Sequence, residues 1–421
     1  MKNEIIAGLD LGSTKTVCMI AKMKENAAPE LEGIGISKTK GFKNGIVTSI
    51  DEATESIILA VSEAEREANV KLTGAFVGIT GSHIKGESSK GMISVTRAPT
   101  REITEEDVSQ IIDQAASVKI PADREIIQKI SQSFTVDDHI GIKNPVGLDG
   151  NRLEGNIYII TGAESVVQNI CKVVNRAGLE VKEIILQSLA SSYSVLDQDE
   201  KELSCAVIDV GGGTTDCVIF NEGQIKDVFT VALGGIDITN DISIGLAITR
   251  ADAETIKTTN GVARSELAGN EVVKVQKFNR SGEQLVEKRA IASIIAPRVE
   301  EILGLVNRKL RYTNSETLPS AVVLTGGAAK MVGIDGLAER IFGIPVRIGS
   351  PNTIEVSTEE EREKIRVPSY ASAIGLLIYG MMNQDTNHKK KGSNKYKGMG
   401  TRESKPWILK LGNKMGDWLL K

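Results

Sequence analysis

Two short segments of the chain hold the residue types that handle phosphate. Asp10-Leu-Gly-Ser-Thr-Lys15 and Asp209-Val-Gly-Gly-Gly-Thr-Thr-Asp216 each set a carboxylate before a turn of small residues. Glycine in a tight turn lets backbone N–H groups converge on phosphate oxygens without a β-carbon in the way. A carboxylate ending the preceding strand can hold a hydrated Mg²⁺, which keeps most of its waters and takes one or two carboxylates. One such turn says little, because glycine is the default turn residue. Two of them, followed by a third glycine-rich stretch at Leu324-Thr-Gly-Gly-Ala-Ala329, form a constellation that points to a phosphorylated ligand. The candidate phosphate contacts are Gly12, Ser13, Thr14, Lys15, Gly211, Gly212, Gly213 and Thr214, and the candidate Mg²⁺ ligands through water are Asp10 and Asp209.

The elements that must position these residues repeat. Residues 5–21 and 204–220 align without a gap and match at six of 17 positions, including Asp10/Asp209, Gly12/Gly211, Thr16/Thr215 and Cys18/Cys217. Average residue frequencies give about one match. Each copy reads as a β-hairpin with a small-residue turn, and its recurrence 199 residues on implies two similar domains. Asp51 to Asn69 has the helical period, Ala75 to Ile79 is a short apolar strand, and residues 84–164 change character. That stretch shows short alternating strands at Met92–Thr96 and Asn156–Thr161. Between them lies a helix opened by Thr104-Glu-Glu-Asp107, so it reads as an inserted subdomain. Helices follow at Glu164–Ala177, Ala253–Thr258 and Ile291–Leu310, and Ser320–Thr325 is a buried strand. Strands alternating with helices argue an α/β class.

Composition narrows the function. The 421 residues are 41% hydrophobic and 25% charged, which is globular. The net charge of −4 conceals an asymmetry: residues 386–421 hold ten Lys/Arg against two Asp/Glu, leaving 41 basic and 53 acidic residues before them. Cys18, Cys171, Cys205 and Cys217 form no CxxC pair and read as reduced core thiols. No signal peptide precedes the first strand, and Ala371–Met382 is too short to span a bilayer. A P-loop GxxxxGK[ST] is absent, Gly33-Ile-Gly35 lacks the third glycine of a dinucleotide fingerprint, and His83, His139 and His388 have no metal spacing.

The ordered set of motifs resembles the actin, heat-shock chaperone and sugar-kinase superfamily, whose two phosphate loops clamp a nucleotide between duplicated ribonuclease-H-like domains. In that resemblance Leu186–Tyr193 and Pro368–Gly375 are the two connecting helices, and Thr325-Gly326-Gly327-Ala328 is the adenosine loop. Glu254 and Lys257 match the ribose-contacting pair, although a solvated helix face explains them equally well. Gln187 falls where active members place the residue that orients the attacking water. A neutral amide cannot accept that water's proton, so at most slow ATP turnover is expected. The strings Leu189–Leu196, Val207–Thr214 and Val323–Ala329, with the insert, are similar to the bacterial cell-division family FtsA. The implied fold is duplicated actin-like domains around a nucleotide cleft, with an inserted α+β subdomain and a C-terminal amphipathic helix. The expected division is domain 1 at 1–83 with 165–190 and 366–385, the insert at 84–164, and domain 2 at 191–365 with a smaller subdomain near 236–310. A basic linker at 386–405 and a terminal helix at 406–421 complete it.

The terminal helix is legible from its residues. At 100° per residue Trp407, Ile408, Leu411, Met415, Trp418 and Leu419 fall within roughly 0–120°, while Lys410, Lys414 and Lys421 lie opposite. Both tryptophans of the chain on one edge and lysines on the other describe a helix lying in a membrane interface, with docking on this protein or a partner as the alternative. The resemblance implies Mg-ATP as cofactor, filaments of the chain itself, anionic lipids of the inner leaflet, and the C-terminal tail of the tubulin-like division protein FtsZ as partner. It implies later division proteins at the insert and no nucleic acid. Arg298, Glu301, Arg308 and Arg311 on the helix after residue 290 are candidate contacts for the FtsZ tail, with plain surface charge as the alternative. The rival functions are a sugar or acetate kinase, which has no use for a Trp/Lys helix, a pilus-assembly actin homologue, and a chaperone ATPase, for which no peptide-binding domain remains.

Overall fold

The computed structural model describes residues 5–23, 29–95, 102–117, 120–278, 282–312, 318–352, 354–356 and 363–387. In the first half β1 (Ile5–Leu11), β2 (Lys15–Lys22) and β3 (Glu30–Lys38) form an antiparallel meander. A small hairpin of β4 (Phe42–Lys43) and β5 (Ile46–Val47) leads into α1 (Ile50–Ala68), and β6 (Gly74–Ile79) then returns parallel to β1. Ser49 caps α1 by accepting from the Glu52 N–H, and Asn69 closes it in the left-handed region at φ 49°. The stripe Ile57, Ala60, Val61 and Ala64 then packs on the sheet.

Next come β7 (Lys85–Ser94), α2 (Glu105–Ala116), β8 (Arg124–Val136), β9 (His139–Ile142) and β10 (Arg152–Ala163). They form a separate sheet in the order β7-β10-β8-β9, with α2 against it and a core of its own built from Ile103, Val108, Ile111, Phe134 and Leu153. Thr104 and Asp107 make a full capping box on α2. The strands are longer than the apolar pattern indicates, because β7 and β10 pair from Lys85↔Thr161 to Ser94↔Arg152, carrying polar Ser88, Ser89 and Lys90 along. The chain rejoins the first sheet through α3 (Glu164–Arg176) and β11 (Glu180–Leu186), giving the order β11-β6-β1-β2-β3.

The second half begins with α4 (Gln187–Val195) and α5 (Gln198–Glu202), then repeats the meander as β12 (Cys205–Val210), β13 (Thr215–Asn221) and β14 (Gln224–Val231). Helices α6 (Gly235–Leu246) and α7 (Arg250–Asn260), the hairpin of β15 (Val272–Gln276) and β16 (Glu283–Glu287), and the long α8 (Lys288–Tyr312) follow. β17 (Ala321–Thr325), α9 (Ile334–Phe342) and β18 (Val346–Ile348) complete a sheet ordered β18-β17-β12-β13-β14, and α10 (Ala371–Asn387) ends the described chain. A meander on one side of the central hairpin and two parallel strands on the other recur in both halves. The repeat seen in the sequence is therefore a repeat of topology.

The two halves are joined by α4 and α10, which cross at close range. Ser191, Ser192 and Ser194 are fully buried, and a β-carbon on Gly375 would lie 1.8 Å from the Ala190 carbonyl oxygen. Only glycine permits that approach. The four cysteines are thiols, three of them buried and Cys171 half-buried. Among the described residues no helix is long and apolar enough to cross a membrane. The Gly375→Ala variant should lose roughly 2 kcal/mol or more of stability, because a backbone carbonyl cannot yield the space. Urea unfolding compared with the parent checks this.

Candidate phosphate-binding cleft

Each candidate phosphate turn is the tip of a hairpin, and the two tips meet. β1 delivers Asp10 opposite Val17, and β12 delivers Asp209 opposite Asp216. A β-carbon on Gly212 would lie 2.6 Å from Thr14 Cγ2, and one on Gly213 would lie 2.5 Å from Ser13 Oγ. Between the hairpins is a cavity of about 80 Å³. Asp10, Gly12, Ser13, Thr14, Lys15, Gln187, Asp209, Gly211, Gly212, Gly213, Thr214, Gly326 and Gly327 all line it. These candidates, some 300 residues apart in sequence, are thus brought to one place.

Three carboxylates share that space. Asp10 is 8% exposed, Asp209 8% and Asp216 3%. Burial pushes Asp10 up to about 7, with the Asp209 charge adding to the rise, while Lys15 and a hydrogen bond from Gln187 Nε2 at 2.6 Å oppose it. Asp209 is raised by burial, against hydroxyl hydrogen bonds from Ser191 at 2.6 Å and Ser372 at 3.0 Å. Asp216 is raised to about 6 by burial, against three threonine hydroxyls that donate to it: Thr230 at 2.6 Å, Thr80 at 2.5 Å and Thr214 at 2.8 Å. Lys15 is brought down to about 8 by burial, and its Nζ sits 3.9 Å from the centre of the Tyr370 ring. The loop after β17 closes the site: Gly326 has φ +91°, and a β-carbon there would lie 2.3 Å from Asp209 Oδ1.

Sequence reading missed Thr80, Ser191 and Ser372. The two serines sit inside the motifs that mark the crossing helices, but nothing in their spacing shows that both hydroxyls meet one oxygen of Asp209. Thr80 directly follows β6 and reaches Asp216 in the other half of the molecule, a contact no local pattern encodes.

Other candidates lie elsewhere. Glu254 and Lys257 are at the rim, not in the cavity. Lys257 Nζ donates to Glu254, to Thr239 Oγ1 at 2.9 Å and to the Gly235 carbonyl at 3.0 Å, which fixes the start of α6. Ala328 is nearby, since a β-carbon on Gly235 would lie 3.3 Å from Lys257 Nζ and 3.8 Å from Ala328 Cβ. Arg298 is not the outward-facing contact expected on α8. Its Nε and Nη2 donate to Asp241 of α6 and its Nη1 to Glu301, so the guanidinium fastens two helices together. Arg308 and Arg311 are exposed. Trp407, Ile408, Lys410, Leu411, Lys414, Met415, Trp418, Leu419 and Lys421 lie outside the described residues, as does His388.

Duplicated sheets of this topology, linked by crossing helices with facing glycine hairpins, define an actin-like protein. Solved structures agree on the fold. A PilM–PilN type IV pilus biogenesis complex matches with a TM-score of 0.63 at 17% identity, covering 89% of this chain and 98% of the other. MreB5 of Spiroplasma citri bound to ADP matches with a TM-score of 0.55 at 14% identity, covering 92% and 99%. The family model for cell division protein FtsA matches residues 206–375, and that for the SHS2 domain inserted in FtsA matches 81–161. Cell division protein FtsA of Pseudomonas aeruginosa is 38% identical over 383 residues, 90% of both chains. That of Borreliella burgdorferi is 35% identical over 424 residues, 100% of this chain and 99% of its own, and that of Escherichia coli 32% identical over 386, 90% of each. The chain belongs to the FtsA family of cell-division proteins. The sugar or acetate kinase and the pilus-assembly alternatives are not favoured.

The raised carboxylates make stability depend on pH in a defined sense. Asp10 holds its proton in the folded chain up to about 7 but loses it near the ordinary 3.8 when unfolded. Its contribution is thus fully present below about 4 and lost as pH rises toward 7. In metal-free solution, Asp10→Asn should gain on the parent across that window, by on the order of 1 kcal/mol per pH unit at most. Urea unfolding of both proteins at pH 5, 6 and 7 checks the trend.

Proposed function

We propose that the cleft binds ATP with Mg²⁺, and that the chain assembles with copies of itself on the inner face of the cytoplasmic membrane, where it tethers FtsZ. One observation supports the nucleotide reading above the rest: two glycine hairpins meet over a small cavity that buries Asp10 and Asp209 beside the half-buried Lys15. Burial raises both carboxylates, and a divalent ion beside them would offset that cost.

In this reading the backbone of Gly12–Lys15 and Gly211–Thr214 cradles the phosphates, and Gly326, Gly327 and Ala328 lie along the adenosine. Glu254 and Lys257 reach the ribose from the rim. Asp10 and Asp209 hold Mg²⁺ through water, and Ser191 and Ser372 keep Asp209 oriented. Bound Mg²⁺ supplies charge neutralisation on the phosphate oxygens. Gln187 donates to Asp10 and is a neutral amide, so the site orients water without a strong base and turnover is slow.

Membrane attachment rests on residues 406–421. Each lysine near an anionic leaflet adds about 1 kcal/mol, which salt screens. One short helix binds weakly, and filament formation makes the attachment firm by multivalency. Alignment with the Borreliella burgdorferi relative runs the whole length of this chain, terminal segment included. For the FtsZ tail, exposed Arg308 and Arg311 are the contacts, while Arg298 acts through α6. Later division proteins meet the insert, residues 84–164.

Two measurements check this reading. Calorimetry should show Mg-ATP binding by the parent and its loss, at least about 100-fold in affinity, in Asp209→Ala. Undiminished affinity would contradict the second hairpin's role. Sedimentation with anionic liposomes should pull down the full chain and leave residues 1–404 in the supernatant, and equal binding by both would contradict the anchor.

A further inference from the structure

The short segment that opens α10 serves several parts of the cleft at once. Pro368–Tyr370 form a single tight turn, closed by the Tyr370 N–H donating to the Val367 carbonyl at 3.1 Å. The Pro368 carbonyl accepts from the Gly326 N–H at 3.2 Å and from Thr325 Oγ1 at 3.3 Å, which pins the turn to the loop after β17. Two residues past the turn, Ser372 donates to Asp209 at 3.0 Å. Tyr370 stands between these anchors, half-buried and packed against the apolar cluster that holds Val17, Met19 and Ile365. Its ring is therefore fixed from both sides.

Lys15 rests on that ring. Its Nζ lies 3.9 Å from the ring centre, and the residue lines the cleft. Among the described residues no hydrogen bond or ion pair engages the ammonium. Lys257 is the opposite case, because it donates to the Gly235 carbonyl, to Thr239 Oγ1 and to Glu254. An ammonium has three N–H donors, so Lys257 has spent its set and Lys15 has kept its own. The charges of Asp10 and Asp209 favour the Lys15 cation, while burial and Lys330 oppose it.

An aromatic face suits a cation that must stay available. The ring quadrupole attracts it most strongly where water is excluded, and the attraction uses no N–H donor. An ion pair with Asp10 or Asp209 would neutralise a carboxylate and would have to break before the lysine met another anion. Left in water, the four-carbon side chain would give up its rotamer freedom only on engaging one. The ring orders the side chain in advance and leaves the carboxylates charged.

We propose that Tyr370 is a positioning residue for the phosphate site, whose ring holds the Lys15 ammonium in the cleft lining with its N–H donors free for the phosphate oxygens of the nucleotide. The proposal rests on the nucleotide reading of the cleft. It assigns to the first turn of a connecting helix a part in phosphate binding that it performs through Lys15.

Calorimetry of Mg-ATP binding to the full chain, arranged as a double-mutant cycle, tests it. Tyr370→Leu keeps an apolar side chain without a π face and should weaken binding by about five- to tenfold. Tyr370→Phe keeps the face and should stay within about twofold of the parent. Tyr370→Met should lose as much as Tyr370→Leu and carries the test if the leucine variant misfolds. Lys15→Met should weaken binding by about tenfold or more, and adding Tyr370→Leu to it should change the affinity by less than about twofold. A purely structural ring would instead cost the same in both backgrounds, and that result would overturn the proposal. Parent-like affinity in Tyr370→Leu and Tyr370→Met, parent-like affinity in Lys15→Met, or an equal loss in Tyr370→Phe would overturn it too while leaving the nucleotide reading intact. No Mg-ATP binding by the parent would overturn the nucleotide reading, and the role of Tyr370 with it.

Discussion

Three buried carboxylates at the meeting point of two glycine hairpins are the constraint around which the molecule is arranged. Negative charge removed from water is costly unless a cation, hydroxyls or amides compensate it. Here only part of the compensation comes from the chain. Three threonines serve Asp216, two serines serve Asp209, and Gln187 and Lys15 serve Asp10. The hydroxyl partners come from both halves and from both crossing helices, so the cluster needs the sheets, α4 and α10 in register at once. What the protein leaves uncompensated is what a divalent cation with phosphates would supply under the proposed function.

Close backbone approach is the second requirement. Serine hydroxyls from α4 and α10 reach one oxygen of Asp209 only because Gly375 lets α10 lie against Ala190. Gly326 similarly admits the Asp209 carboxylate beside the turn after β17. The duplicated sheets give these contacts a rigid frame, since each carboxylate sits at the end of a central strand paired on both sides.

Much of this was legible in the sequence, for a physical reason. Glycine turns after apolar runs are dictated locally, so the repeat at 5–21 and 204–220 announced both hairpins and the doubled fold. The capping box at Thr104 and the buried stripe of α8 are local too. Harder to see were the long insert strands, whose polar stretch at Ser88–Lys90 is held by pairing with β10 and not by its own pattern. Thr80, Ser191 and Ser372 escaped because their partners are 136, 18 and 163 residues away. Arg298 looked like a surface charge because its partner Asp241 lies 57 residues back on another helix.

Under the proposed function cation and nucleotide are required together, since the buried carboxylates would repel phosphate until a divalent ion lay between them. Thermal unfolding of the full chain with saturating ATP, in Mg²⁺ and in excess EDTA, tests this most directly. A ligand that binds only the folded state raises the unfolding temperature. The account predicts a clear rise with Mg²⁺ and none, or a fall, in EDTA. An equal rise in both would contradict it.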